Sequence, residues 1–157
     1  MTYSVSIPNL DRLQAEFKRA PQITTTEVKR AVDAATMLLQ GSAKQKAPID
    51  TGRLRQGIVR RNASVRGNVV EGTVSASAKY SLAQEVGTGI YGPAKRPIRP
   101  KSKPYLMFKI NGQWVRTKEV KGVRGRFYMK GAVDDNGDRI VQLFEAAEDR
   151  ITRQLAA

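Results

Sequence analysis

The stretch YLMFKINGQWVRTKEV, residues 105–120, decides how the chain is read. Asn111-Gly112 is a favoured pair for a two-residue type I′ turn, in which both central residues need positive φ. The runs on either side are therefore expected to pair as antiparallel strands. The register follows from the turn: Ile110 opposite Gln113, Phe108 opposite Val115, Leu106 opposite Thr117. That face is mostly apolar. The other face sets Tyr105, Met107 and Lys109 against Lys118, Arg116 and Trp114. Lys109 beside Trp114 allows a cation–π contact worth up to about 1 kcal/mol when exposed. One face is built to be buried and the other to meet a partner.

Working outward, RQGIVRRNASV and NVVEGTVSAS read as two further strands that turn near Arg66-Gly67. YSVSI alternates and reads as a short strand, and Asn9 can cap a short helix over 10–19 that carries Leu10, Leu13 and Phe17 on one side. Pro21 is expected to break it. Thr24-x-x-Glu27 then forms a capping box for a long helix to about Ala47. Its stripe is Val28, Ala31, Val32, Ala35, Leu38, Leu39 and Ala43, with Lys29 and Asp33 paired on the wet side and Pro48 at the end. AKYSLAQEV is a short helix or turn, ended by Gly87 in the left-handed conformation. Residues 88–104 hold four of the seven prolines and predict an extended loop. RFYMKGAVDDN is a short turn or helix, after which Asp138 caps a last helix bearing Ile140, Leu143, Phe144, Ala147, Ile151 and Leu155. Asp149 stands four residues before Arg153, the favourable order for pairing. The expected class is α+β: an antiparallel sheet with a protruding β-hairpin, packed on one face against one long helix and a C-terminal helix. Residues 1–157 are expected to form a single domain, with a basic loop and hairpin insertion at about 88–126.

Composition narrows the function classes. The 157 residues include neither cysteine nor histidine, which removes thiolate chemistry, the commonest general base and the commonest transition-metal ligand. No segment approaches a membrane span, the N-terminus lacks a signal peptide's pattern, and a cytoplasmic protein is expected. The net charge is +14, and it is local: residues 87–130 hold twelve Lys/Arg against Glu119 alone, and residues 51–70 hold five arginines and no acid. Such a face is suited to nucleic acid or an acidic protein surface. Its cations are Lys95, Arg96, Arg99, Lys101 and Lys103 in the loop, Lys109, Arg116 and Lys118 with Trp114 on the hairpin, and Lys121, Arg124 and Arg126 beyond it. We take these as the candidate partner interface.

The catalytic motifs are weak. Gly87-x-Gly89-x-x-Gly92 has dinucleotide-loop spacing, but Pro93, Pro97 and Pro100 deny it a following helix and no acid stands about 20 residues on. A Ser–Lys hydrolase pair is formally open, and Glu85 is a base candidate that more simply neutralises nearby cations or caps a turn. DDNGD, 134–138, lacks the rest of a calcium loop and is better explained as a helix cap. No enzyme activity, cofactor or metal is expected. A single-stranded nucleic-acid-binding protein remains the alternative, since Tyr91, Tyr105, Trp114, Phe127 and Tyr128 interleave with the cations.

Three segments together resemble a family of small tail-component proteins of long-tailed bacteriophages and prophages, the head–tail joining or tail-completion proteins. They are AKQKAPIDTGRLRQGI (43–58), AKYSLAQEVGTG (78–89) and RGRFYMKGAV (124–133), and the opening VSIPNLDRLQAEF is similar as well. The residues that carry the resemblance are Ala47, Pro48, Thr51, Gly52 and Leu54, then Tyr80, Glu85, Gly87 and Thr88, then Phe127. Gly57 stands where a serine is usual, and Tyr128-Met129 replace the common leucine. The resemblance implies a structural virion protein of the neck, part of a homo-oligomeric ring, without catalysis. It implies as partners the head connector or stopper and the tail terminator or tail-tube proteins, with DNA passing through the neck, and no membrane. Assembly would take place in the host cytoplasm.

Overall fold

A computed structural model of the protein describes residues 10–67 and 69–156, with side chains from residue 18 onward. The strand read at YSVSI, the Asn9 cap and the side chains of Leu10, Leu13 and Phe17 lie outside the described residues. The elements run α1 (Leu10–Lys46), α2 (Arg53–Gln56), β1 (Ile58–Arg66), β2 (Val69–Ala76), α3 (Ser81–Val86), a 3₁₀ turn (Gly89–Tyr91), β3 (Leu106–Ile110), β4 (Gln113–Thr117) and α4 (Tyr128–Ala156). The class is α+β. The strands form two separate two-stranded sheets, β1-β2 and β3-β4, where the sequence suggests one.

Two helix boundaries differ from the sequence reading. Helix α1 does not break at Pro21, which sits inside it, and the Thr24–Glu27 capping box is interior helix. Proline removes one N–H and crowds the preceding turn, a cost of about 3 kcal/mol that packing along a helix of this length can outweigh. Helix α4 starts ten residues before Asp138, which is an exposed position within it. The DDNGD run is therefore helical, and among the described residues no group of His, Cys, Asp or Glu is placed to hold a metal ion.

The described residues fall into two compact units. The first holds the residues up to Leu38, Arg60–Thr73 and the chain from Asn136. Its buried residues are mostly small, Ala31, Ala35, Thr36, Ala63 and Ala147, with Asn136 and Glu27 among them. The larger members of the α1 stripe, Val28, Val32, Leu38 and Leu39, are only half-buried. A Cβ at Gly72 would lie 2.7 Å from Val32 Cγ1, so β2 approaches α1 closely there. Glu27 is a buried charge in this interior, 1% exposed, with Arg150 Nε donating to it at 2.7 Å, Gln154 Nε2 at 3.2 Å and an Arg30 guanidinium N–H at 2.6 Å. Asp33 is not engaged by Lys29. It accepts the Ala63 N–H at 2.7 Å and faces Arg60 at 3.6 Å, which pins β1 to α1. Likewise Arg153 donates to the backbone oxygen of Asp149, not to its carboxylate.

The second unit holds Leu39–Val59 and Val74–Asp135. Its core joins Ala43 of α1, Ala47 just beyond its end, Leu54 of α2, Ile58 of β1, and Tyr128 and Ala132 of α4, with Val74, Ala76, Ala78 and Met129 packed around them. Arg55 donates to the carbonyls of Ala47 (3.3 Å) and Gln45 (3.2 Å), which closes the open end of α1. The hairpin has the expected register, and Asn111 (φ 50°) and Gly112 (φ 81°) make the turn. Its inner face is half-buried at Leu106, Phe108, Val115 and Thr117, while Ile110 and Gln113 near the turn are exposed. The expectation of a fully buried face is therefore met only at the base.

Candidate functional site

The basic segment is organised by glycine. Gly87 ends α3 with φ 80° and ψ 177°, a positive-φ conformation but not the left-handed helical one. From there the chain runs antiparallel to residues 120–124. Thr88 N–H donates to Val123 O (2.8 Å) and Ile90 N–H to Lys121 O (2.9 Å), while Thr88 Oγ1 accepts the Val123 N–H (3.0 Å). Ile98 and Val120 exchange two backbone bonds of 2.8 and 3.0 Å. The backbones touch so closely that a Cβ at Gly87 would lie 2.6 Å from Gly125 N, and one at Gly125 2.7 Å from Glu85 O. At Gly89, with φ 64°, a Cβ would collide with the Lys121 carbonyl. The Gly-x-Gly-x-x-Gly spacing therefore serves a strap of two crossing backbones and not a phosphate cradle. The sequence reading located the glycines correctly but missed their partners, Gly122 and Gly125.

Glu85 is held in this strap. Its two carboxylate oxygens accept the Met129 and Lys130 N–H groups, each at 2.9 Å, so it caps α4 from 44 residues away in sequence. It caps a helix rather than a turn, and its oxygens are taken up by that task.

The strap and hairpin display the cations. Lys95, Arg96, Lys101, Lys103, Lys118, Lys121 and Arg126 are exposed, and none pairs with an acid among the described residues. Arg96, Arg99 and Lys101 line a concavity of about 550 Å³ with Gly89, Ala94, Pro97 and Ile98. Arg99 differs from its neighbours, because Glu119 accepts from it at 2.9 Å. Three cations lie over aromatic rings: Lys109 over Trp114 (5.0 Å), Arg116 over Tyr105 (3.7 Å) and Arg124 over Tyr91 (5.1 Å). The first two follow from the hairpin register, as a directly opposite and a diagonal pair on one face, whereas Arg124 and Tyr91 have no helical or strand spacing. Trp114 is 67% exposed.

The family-motif residues lie mostly in the scaffold beneath. Ala47 and Leu54 are core, Gly52 takes φ 78° before α2, and Thr88 holds the strap. Pro48, Thr51, Gly52, Leu54 and Tyr80 border a second concavity, of about 290 Å³, with Ile49, Asp50 and Gln84. Phe127 is exposed with φ 49° just before α4. No helix among the described residues is long and apolar enough to cross a membrane.

These features make an exposed basic surface on an α+β scaffold. Residues 11–87 match the family described as "Bacteriophage HK97-gp10, putative tail-component". The similarity to this phage tail-component family covers just under half of the chain, and it ends at Gly87, where the strap begins. No curated protein and no solved structure matches the chain.

Proposed function

We propose that this protein is a structural component of the phage neck, which joins the head connector to the tail as part of a ring. The family supports the coarser role of a structural tail component. The observation that carries the finer reading is the set of exposed cations on the hydrogen-bonded strap and hairpin that have no acid partner among the described residues. Such a surface is steered to acidic neighbours and gains little from water. The partners in this reading are further copies of the chain, the head connector or stopper, and the tail terminator or tail-tube proteins, with DNA passing nearby. The chain acts as one neck domain whose insertion at about 88–126 makes the contacts. It is assembled in the host cytoplasm and remains in the virion.

Reversing Arg96, Lys101 and Lys103 to Glu tests this. Arg99 is left intact because it holds Glu119. Like charges then face the partner at a cost of several kcal/mol, while exposed positions leave the fold nearly unchanged. Electron microscopy of a lysate complemented with the mutant gene should show filled heads and separate tails, and the purified mutant should keep its Tm. Complete virions in normal number overturn the reading. The alternative, a single-stranded nucleic-acid-binding protein, requires ring faces open to bases. Here Trp114, Tyr105 and Tyr91 each carry a cation. Strong quenching of Trp114 by an oligonucleotide, with a steep salt dependence, would favour that alternative.

A further inference from the structure

The chain carries a surface complementary to its own hairpin. The outward face of β3-β4 presents Met107, Lys109, Trp114 and Arg116, through the cross-strand pairs Met107–Arg116 and Lys109–Trp114. Met107 and Trp114 are both about two-thirds exposed, so this face has an apolar centre and cationic flanks. On α4, residues advance about 100° per position. Asp138, Val141, Phe144, Glu145 and Glu148 therefore share one face, and all five are exposed. The opposite side turns inward, with Asn136 and Ala147 buried. Residues 134–149 hold six acids against Arg139 alone, in a protein of net charge +14.

We infer that the outward hairpin face of one copy docks on this exposed α4 face of a second copy. The inference rests on the ring reading above and names the surfaces that would form the ring. Trp114 and Met107 cover Val141 and Phe144, while Lys109 and Arg116 meet Glu145, Glu148 and Asp138. The occupant is argued from charge: the acidic helix is an exception in this basic chain, and its pattern of apolar centre and charged rim matches the hairpin with the sign reversed. A large exposed tryptophan amid cations is the kind of anchor that carries interface energy. The two surfaces are different, so the contact is head-to-tail. Such a contact repeats until it closes into a ring or continues as a filament.

Two charge-swapped variants test the contact. One carries Lys109→Glu and Arg116→Glu, and the other Glu145→Lys and Glu148→Lys. Each alone sets like charges together and should weaken self-association in analytical ultracentrifugation by about tenfold or more. Mixed in equal amounts they should associate again, because every hairpin then finds a helix of opposite sign. The absence of native cysteine allows a second readout. Arg116→Cys mixed with Glu145→Cys should give disulfide-linked dimers on mild oxidation, and neither variant alone should. Circular dichroism melts confirm that the variants fold. Association of the single variants at wild-type strength, failure of the mixture to associate, or a wild-type chain that stays monomeric while the mixed cysteine variants give no cross-link overturns the inference. The neck reading is judged separately by the lysate experiment, whose substitutions lie in neither docking face.

Discussion

Glu85 and Glu27 show how single carboxylates hold distant segments. Glu85 caps α4 through the Met129 and Lys130 N–H groups. Glu85→Ala should cost about 1–2 kcal/mol in urea denaturation, the usual worth of a charged helix cap. Burial, and next the Glu85 charge, push the Tyr128 phenol above 10.0, so the same variant should lower the pH at which Tyr128 ionises. Glu27 is held below 4.5, first by the Arg150 hydrogen bond and further by Gln154 and Arg30, against the opposing effect of burial. A carboxyl depressed in the folded state stabilises the protein while ionised. That contribution is complete above about pH 4.5 and is lost as the pH falls through the folded-state value. Glu27→Gln should therefore flatten the decline of Tm between about pH 5 and 3. The glycines provide a further contrast. Gly67 (φ 57°) faces open space, whereas Gly89 (φ 64°) faces the Lys121 carbonyl. Alanine should cost about 1–2 kcal/mol at Gly67 from backbone conformation alone. At Gly89 it should cost clearly more, or open the strap, and equal costs would mean that the backbones do not cross closely.

Among the elements, α1 and the strap each contradict a local rule. Pro21 inside α1 leaves a backbone carbonyl without its helical donor. Pro21→Ala should raise stability by about 2 kcal/mol, less than the full helix-interior penalty because the unfolded chain also gains freedom. No gain would place a helix end at that residue. The strap divides the proline-rich segment in two. Ile90, Ile98, Val120 and Val123 donate across it, while Lys101, Ser102 and Lys103 lie in an exposed stretch without regular structure. Amide exchange should be slow at the first group and close to free-chain rates at the second. Uniformly fast exchange over 88–126 would mean that the strap forms only on a partner.

For the whole molecule, charge is the governing quantity. A net +14 opposes self-association at long range, yet the acidic face of α4 offers a local partner for the basic hairpin. Salt screens both, with a Debye length of about 10 Å at 0.1 M. Self-association through the hairpin should therefore weaken as sodium chloride rises from about 0.05 to 0.5 M, because contact pairs at an exposed rim lose more than the distributed repulsion regains.

Much of this protein is legible in its sequence. Asn111-Gly112 determined the second hairpin and its register, because the turn geometry admits few residues and the strand period is two. Alternation located β1 and β2, and the order of elements gave the α+β class. The resemblance over the first half was carried by residues that prove to be core or turn positions, among them Ala47, Gly52 and Leu54. Three things were decided only in three dimensions. Pro21 and Thr24 carry strong local signals, but the packing of a long helix overrides local propensity. Asp138 looked like a cap, yet α4 starts at Tyr128 because Glu85, distant in sequence, supplies the acceptors its first turn lacks. The role of Gly89 could be inferred as backbone freedom but not as a crossing, since sequence spacing does not say which distant backbone will lie against it. Local periodicity and turn chemistry act over a few residues and can be read directly. Caps, crossings and the pairing of Glu27 with Arg150 depend on chain segments meeting, and that is settled by tertiary packing.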